Sequence, residues 1–326
     1  SRGLGDVYKR QPEALLPAPS ALRGPKIESE DLADWGLLPS RPDWAGGLRA
    51  EWTPGEAGAK ARLQAFLAGP VQDYATARDI PGRHGTSKLS PHAHFGEISP
   101  RYVWHQARAA GAGKGVETFL KELLWREFSI NLLWQHPDLR REPIRKEFKD
   151  FPWEANRDRL TAWQTGKTGI PIIDAGMREL WITGWMHNRV RMICASYLVK
   201  HLLIPWQAGE AWFWDTLCEA DEAANGASWQ WVAGCGADAA PYFRVFNPVL
   251  QGQKFDGDGA YVRRFVPELR KLPDKFIQAP WEAPAEILAA CGVRLGGNYP
   301  QPLVKPAEGR DKALAAYARL KGEEPA

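Results

Sequence analysis

The chain has 326 residues, 44% apolar and 25% charged, with a formal net charge of +3. That length can bury a large core as one big domain or two ordinary ones, and the composition is that of a soluble globular protein. No apolar run reaches the roughly 20 residues needed to span a bilayer and no cleavable leader opens the chain, so a cytoplasmic protein with no membrane partner is expected.

In chain order, the first eleven residues, SRGLGDVYKRQ, fit nothing downstream and read as a non-native leader. Residues 12–58 are rich in Pro, Gly and Trp without periodicity and read as an interdomain linker. From residue 59 to 326 the pattern is helical, with no repeat and no strand–helix alternation, and predicts one large all-α domain with long loops. Thr86-Ser87-Lys88-Leu89-Ser90-Pro91 puts hydroxyls, a lysine and free backbone N–H groups ahead of a helix. Such a segment can hold a phosphate, and it is equally a cluster of helix-capping residues. His92 and His94 lack further ligands at metal-binding spacing and read as a turn or helix start.

Over Glu117–Leu133, Phe119, Leu120, Leu123, Leu124 and Phe128 recur at helical spacing, while Glu122, Trp125, Arg126 and Ser129 share another sector. Glu122 and Arg126 are spaced for an i,i+4 ion pair. With Trp125 beside them, that sector suits either a cleft wall that stacks a flat ligand or a solvated face with a half-buried tryptophan. A basic cluster, Arg140, Arg141, Arg145 and Lys146, reads on its own as a solvated helix face. Over Gly184–Leu203, Trp185, Asn188, Met192 and Ser196 fall on one narrow helical stripe. Trp212–Trp231 begins as a helix and runs into EADEAANGASWQW. Gly234-Cys235-Gly236-Ala237-Asp238-Ala239 mimics a dinucleotide fingerprint but follows a Trp-rich helix rather than a strand, so it is set aside. The Asp256–Asp258 turn is too short for a calcium loop. Cys194, Cys218, Cys235 and Cys291 show neither paired nor metal-like spacing, and no metal site is expected. Sixteen tryptophans exceed what core packing ordinarily uses and invite stacking or electron-transfer roles.

TGIPIIDAGMREL (168–180) and NRVRMICASYLVKHLLIPWQ (188–207) closely resemble the two signatures of the photolyase/cryptochrome family. KELLWREF (121–128), GWMHNR (184–189) and ASWQWVAGCGADAAPYFRVFNPVLQGQKFD (227–256) resemble it too, so the likeness runs from about residue 20 to 320. The resemblance implies the all-α FAD-binding domain of a class I cyclobutane pyrimidine dimer (CPD) photolyase. The family's N-terminal α/β antenna domain, with its antenna chromophore site, would precede residue 12. FAD, active as FADH⁻, is the implied cofactor, UV-damaged DNA the implied partner, and a monomer the expected state.

By that resemblance, Tyr74, Arg78, Thr86, Ser87, Leu89 and Ser90 fall where the family holds the FAD pyrophosphate and ribitol. Arg126 falls on a flavin-pocket arginine, Arg191 and Glu219 on an ion pair beside the isoalloxazine ring, and Asp221 and Asn225 on the same wall, Asn225 facing flavin N5. Glu122, Trp125, Asn188, Met192 and Trp231 match the substrate pocket, with Arg189 and Arg244 toward DNA. Trp153, Trp206 and Trp229 match the electron-transfer chain from surface to flavin.

Single positions imply the subclass. Asn225 is the photolyase choice, where plant cryptochromes typically carry Asp and many animal ones Cys. Asn188 and Met192 stand where (6-4) photolyases carry histidines, which argues against that activity. The implied activity is light-driven CPD repair, with a cryptochrome-type flavin photoreceptor as the rival. Two departures are visible: Glu219 replaces the family's usual Asp, and Tyr197 its usual Phe.

Overall fold

The computed structural model describes residues 12–21, 24–237 and 243–322. The expected leader (1–11) and the Asp238–Ala239 end of the set-aside fingerprint lie outside the described residues. Among the described residues the protein is mainly helical, and the one isolated β-bridge joins Leu295 and Tyr299.

Residues 12–21 and 24–45 are largely exposed and carry one 3-10 turn, Leu32–Trp35. The rest of the segment read as linker is helical at Gly46–Glu51 and packs on the body: Trp52 Nε1 donates to the Thr183 carbonyl at 2.7 Å. Two apolar clusters follow. The first is built from residues 59–120, with Phe66, Tyr74 and Phe119 in mutual edge-on or tilted contact. The second runs from Phe148 to Ala316 around the helix Pro171–Thr183, which is buried over almost its whole length.

Local chemistry sets the ends of these helices. Pro171 starts its helix at a position where the missing N–H is not needed, and Gly184 ends it in the left-handed region (φ 66°). Ahead of it, the buried Asp174 carboxylate accepts from Thr168 N and Oγ1 (both 2.7 Å), Gly169 N (3.0 Å) and Tyr299 OH (2.8 Å). Burial still pushes Asp174 up to about 6, against the pull of those donors. The next helix, Asn188–Ser196, crosses closely because Gly176 has no side chain: a Cβ there would lie 2.4 Å from Val190 Cγ1.

The predicted Gly184–Leu203 helix is thus shorter and interrupted. His187 caps it, and its end widens into a π turn at Tyr197–His201. Trp185 precedes the helix, so the expected stripe begins at Asn188, exposed, and passes half-buried Met192 to buried Ser196. The Trp212–Trp231 stretch is two helices, Trp206–Thr216 and Glu222–Ala233, broken where Asp221 caps the second by accepting from Ala224 N at 2.8 Å. The long helix predicted over Glu117–Leu133 spans Lys114–Gln135 and buries Phe119, Leu120 and Leu132. No described helix is long and apolar enough to cross a membrane.

Candidate FAD and substrate site

Four arginine–carboxylate pairs gather where the two clusters meet. At the end of the Pro70–Ala77 helix, Arg78 Nη1 donates to Glu122 of the long helix. Asp79 accepts from Arg189 Nη2 at 2.7 Å, reaching across to the second cluster. Arg126 approaches Asp221 at 4.0 Å, and Arg191 donates to Glu219 while its Nε holds the Met186 carbonyl at 2.7 Å. The expected i,i+4 pair of Glu122 with Arg126 is therefore replaced. Glu122 takes Arg78, 44 residues away, and Arg126 lies between Glu127 (3.6 Å) and Asp221. Burial alone would lower the Arg78 pKa, but Glu122 and Tyr74 beside it carry it up.

Beside these pairs Trp125 is 46% exposed, its ring edge-on to Phe128 at 5.5 Å. It offers an open aromatic face next to the Glu122 carboxylate, with Asn188 exposed and Met192 half-buried on their own helix. Trp231 and Arg244 line a cavity of about 30 Å3 with Ser196, Lys200, Phe243 and Phe246. Arg244 is exposed and stacks over Phe246 at 4.8 Å.

In the Thr86–Ser90 segment, Tyr74 and Leu89 are buried nearby and Ser90 starts a short helix. The Thr86 and Ser87 hydroxyls make no hydrogen bond to a described residue. Lys88, at φ 48°, turns away from any phosphate role. Its Nζ donates to Glu51 at 2.7 Å and sits over the Trp185 ring at 4.6 Å. His92 is buried against Glu97 (2.5 Å), and no group of three or more His, Cys, Asp or Glu is placed to hold a metal among the described residues.

Asn225 lies on the buried face of the Glu222–Ala233 helix, and its amide is one-sided. Nδ2 donates to the Glu210 backbone oxygen (3.1 Å) and to Glu210 Oε1 (2.8 Å), while Oδ1 has no donor among the described residues. Glu210 also accepts from Arg140 Nε at 2.6 Å and Nη2 at 3.3 Å, and the Arg140 guanidinium lies 3.7 Å from the Trp214 ring centre. The basic segment is thus partly turned inward, since Arg145 likewise serves Glu147 and the Gly234 carbonyl. Sequence reasoning missed Glu210 and Asp79, and read Arg140 only as part of a solvated basic face. A carboxylate inside the apolar WQAGEAWFW helix was the available signal for Glu210.

Trp229 and Trp206 are fully enclosed, and Trp153 is half-buried at a surface groove of about 360 Å3 with Arg141, Lys149, Pro205 and Gln207. Trp229 sits edge-on to Phe213 (5.0 Å) and to the buried Trp163 (6.2 Å). Trp163 was not singled out from the sequence.

These groups suit FAD. An acceptor on a buried side chain with no described donor fits a flavin N–H, hydroxyls without a described partner fit a diphosphate, and paired arginines can carry anionic ring positions.

Comparison with known proteins agrees. The family model described as the FAD binding domain of DNA photolyase matches residues 119–319, more than half the chain. A deoxyribodipyrimidine photo-lyase of Agrobacterium fabrum is 52% identical over 95% of the chain and 66% of its own length. The Escherichia coli photo-lyase is 46% identical over 82% of the chain and 57% of its length, and Cryptochrome-1 of Arabidopsis thaliana is 42% identical over 84% and 42%. The crystal structure of a bacterial class III photolyase from Agrobacterium tumefaciens superposes with a TM-score of 0.89 at 52% identity, covering 93% of this chain and 64% of that one. That relative is described as a class III photolyase, whereas the signatures of this chain resemble class I. The chain spans about two thirds or less of these relatives. Within that span, the matched domain, the helical fold and the clustered site residues make this chain a member of the DNA photolyase/cryptochrome family through its FAD-binding domain.

Proposed function

We propose that this chain is the FAD-binding, catalytic part of a deoxyribodipyrimidine photo-lyase that repairs cyclobutane pyrimidine dimers in DNA under light. The observation that carries this reading is the open Trp125 face beside the Glu122–Arg78 pair, and the chain has Asn188 and Met192, not histidines, at the positions where (6-4) photolyases carry them. Photolyases are among the enzymes that act on an extruded base. A linked dimer stacks and pairs poorly, so its extrusion costs less than that of an intact pair.

Trp125 stacks the dimer, a contact of about 1–3 kcal/mol per base. The Glu122 carboxylate accepts from the imide edge of the dimer and, with Arg78 beside it, holds that edge in register. Trp231 closes the apolar side. Exposed Arg244, and Arg189 once it exchanges Asp79 for phosphate, position the backbone without reading sequence. Thr86, Ser87 and Ser90 hold the FAD diphosphate, Tyr74 and Leu89 pack beside it, and Arg126, Arg191, Glu219, Asp221 and Asn225 line the flavin. Bound FAD, in its reduced anionic form FADH⁻, would supply under light the one electron that lets the cyclobutane ring open, and would take it back once the two pyrimidines have separated, so that repair is redox-neutral. Trp153, Trp206 and Trp229 carry electrons inward to photoreduce oxidised flavin and are dispensable for splitting itself. The domain runs from residue 59, preceded by a linker, and the protein works as a cytoplasmic monomer of the CPD class.

Cryptochrome-1 at 42% identity favours a second reading, a flavin photoreceptor without repair. Binding separates the two. Flavin-loaded protein should retard a thymine-dimer oligonucleotide over the undamaged one, and Trp125→Ala should abolish the difference. Equal affinity for both oligonucleotides would favour the photoreceptor.

A further inference from the structure

The Asn225 amide is held by a charge two residues removed from any ligand. Its Nδ2 lies on Glu210, and both carboxylate oxygens of Glu210 are engaged by Arg140 through Nε and Nη2. Glu210 is 3% exposed, so no solvent cation can replace that guanidinium. Arg140 is itself fixed, between the carboxylate and the Trp214 ring at 3.7 Å, with its Cγ against the Gly226 position of the Asn225 helix.

We propose that Arg140 is a positioning residue that, through Glu210, fixes the Asn225 amide with its carbonyl oxygen toward the flavin N5 position. This inference rests on the FAD reading above.

An asparagine amide presents an acceptor on one side and a donor on the other, and only its neighbours decide which way it points. While Glu210 is a carboxylate it can only accept, so Nδ2 must face it and Oδ1 must face the flavin. Oδ1 there accepts from a flavin that carries a proton on N5 and repels one that does not. Without Arg140, nothing holds the Glu210 carboxylate in place, and it can swing off Nδ2. The amide is then free to reverse and present N–H groups to N5, which favours the unprotonated ring. Arg140 thus acts on the flavin's proton without touching it.

The test reads the absorption of half-reduced flavin in the FAD-loaded protein, which distinguishes an N5-protonated ring from an anionic one. In Arg140→Met the ratio of protonated to anionic flavin should fall by about tenfold, the scale of one charge-assisted hydrogen bond. Arg140→Lys, which keeps the charge and loses the fork, should fall less, and it carries the test if Arg140→Met does not fold. In an Asn225→Ser background, with no amide to orient, Arg140→Met should change nothing further. A folded, flavin-loaded Arg140→Met with the wild-type ratio overturns the proposal and leaves the cofactor reading intact. So does an equal fall in the Asn225→Ser background, which would mean Arg140 acts by another route. A wild-type chain that binds no flavin overturns the cofactor reading and the inference with it.

Discussion

Gly209 is where the fold most directly meets the proposed electron path. The Trp206–Thr216 helix presents it to the Glu222–Ala233 helix, and the Trp229 ring fills the space a side chain would take. In Gly209→Ala the new Cβ would lie 2.1 Å from Trp229 Cη2, 2.5 Å from Cζ3 and 2.6 Å from Leu198 Cδ2. Ordinary contact begins near 3.5 Å, so the ring must move by about 1.4 Å. It has little room, being 2% exposed with Phe213 and Trp163 edge-on to it. Overpacking of this kind costs about 3 kcal/mol, and the gain in helix propensity returns about 1 kcal/mol, for a net loss of about 2 kcal/mol. Urea unfolding followed by far-UV circular dichroism should show a lower midpoint with an unchanged slope. Gly46→Ala, where nothing lies within 4 Å, is the control and should stay within about 0.5 kcal/mol of wild type. A Gly209→Ala protein as stable as wild type would refute the seating of Trp229 described above.

Burial holds His187 and His201 down at about 4, well below the ordinary 6.5. A depressed base contributes stability that is present above 6.5 and lost as pH falls toward 4, so the His201→Leu and wild-type stability curves should converge or cross on acidification, their difference changing by about 2–3 kcal/mol between pH 7.5 and 4.5. Parallel curves would contradict the neutral, buried imidazole. Asp174 is the opposite case: its raised carboxyl stabilises least once pH has risen through about 6. Tyr299→Phe removes one of its donors and should cost about 1–2 kcal/mol at pH 7.5 and less at pH 5, as thermal melts at the two pH values would report. Trp125→Ala should leave stability within about 0.5 kcal/mol, because the side chain is half exposed, yet weaken dimer-oligonucleotide binding by about 1–3 kcal/mol in a titration.

The helices and the sectors they present were legible in the sequence where periodicity was strong. The long helix over Lys114–Gln135 follows from its apolar spacing, and the separate sector holding Glu122, Trp125 and Arg126 is where the structure opens. Partners were not legible. Local spacing favoured Glu122 with Arg126, but the chain returns Arg78 to one and Asp221 to the other, and only tertiary packing sets those distances. The basic segment misled for the same reason, since composition reads Arg140 as solvated while the fold turns it onto a buried carboxylate. Trp185 dropped off its expected helical stripe because His187 caps the helix two residues later. Resemblance, rather than spacing, assembled the flavin residues, because they come from four separate stretches of chain.

The most direct test of the account is repair itself. Reduced, FAD-loaded protein is mixed with a thymine-dimer oligonucleotide, and recovery of thymine absorbance is followed under blue light and in the dark. Recovery that requires light and is lost in Glu122→Ala/Trp125→Ala is the predicted result. A folded protein with bound, photoreducible flavin that restores no absorbance under light would contradict it.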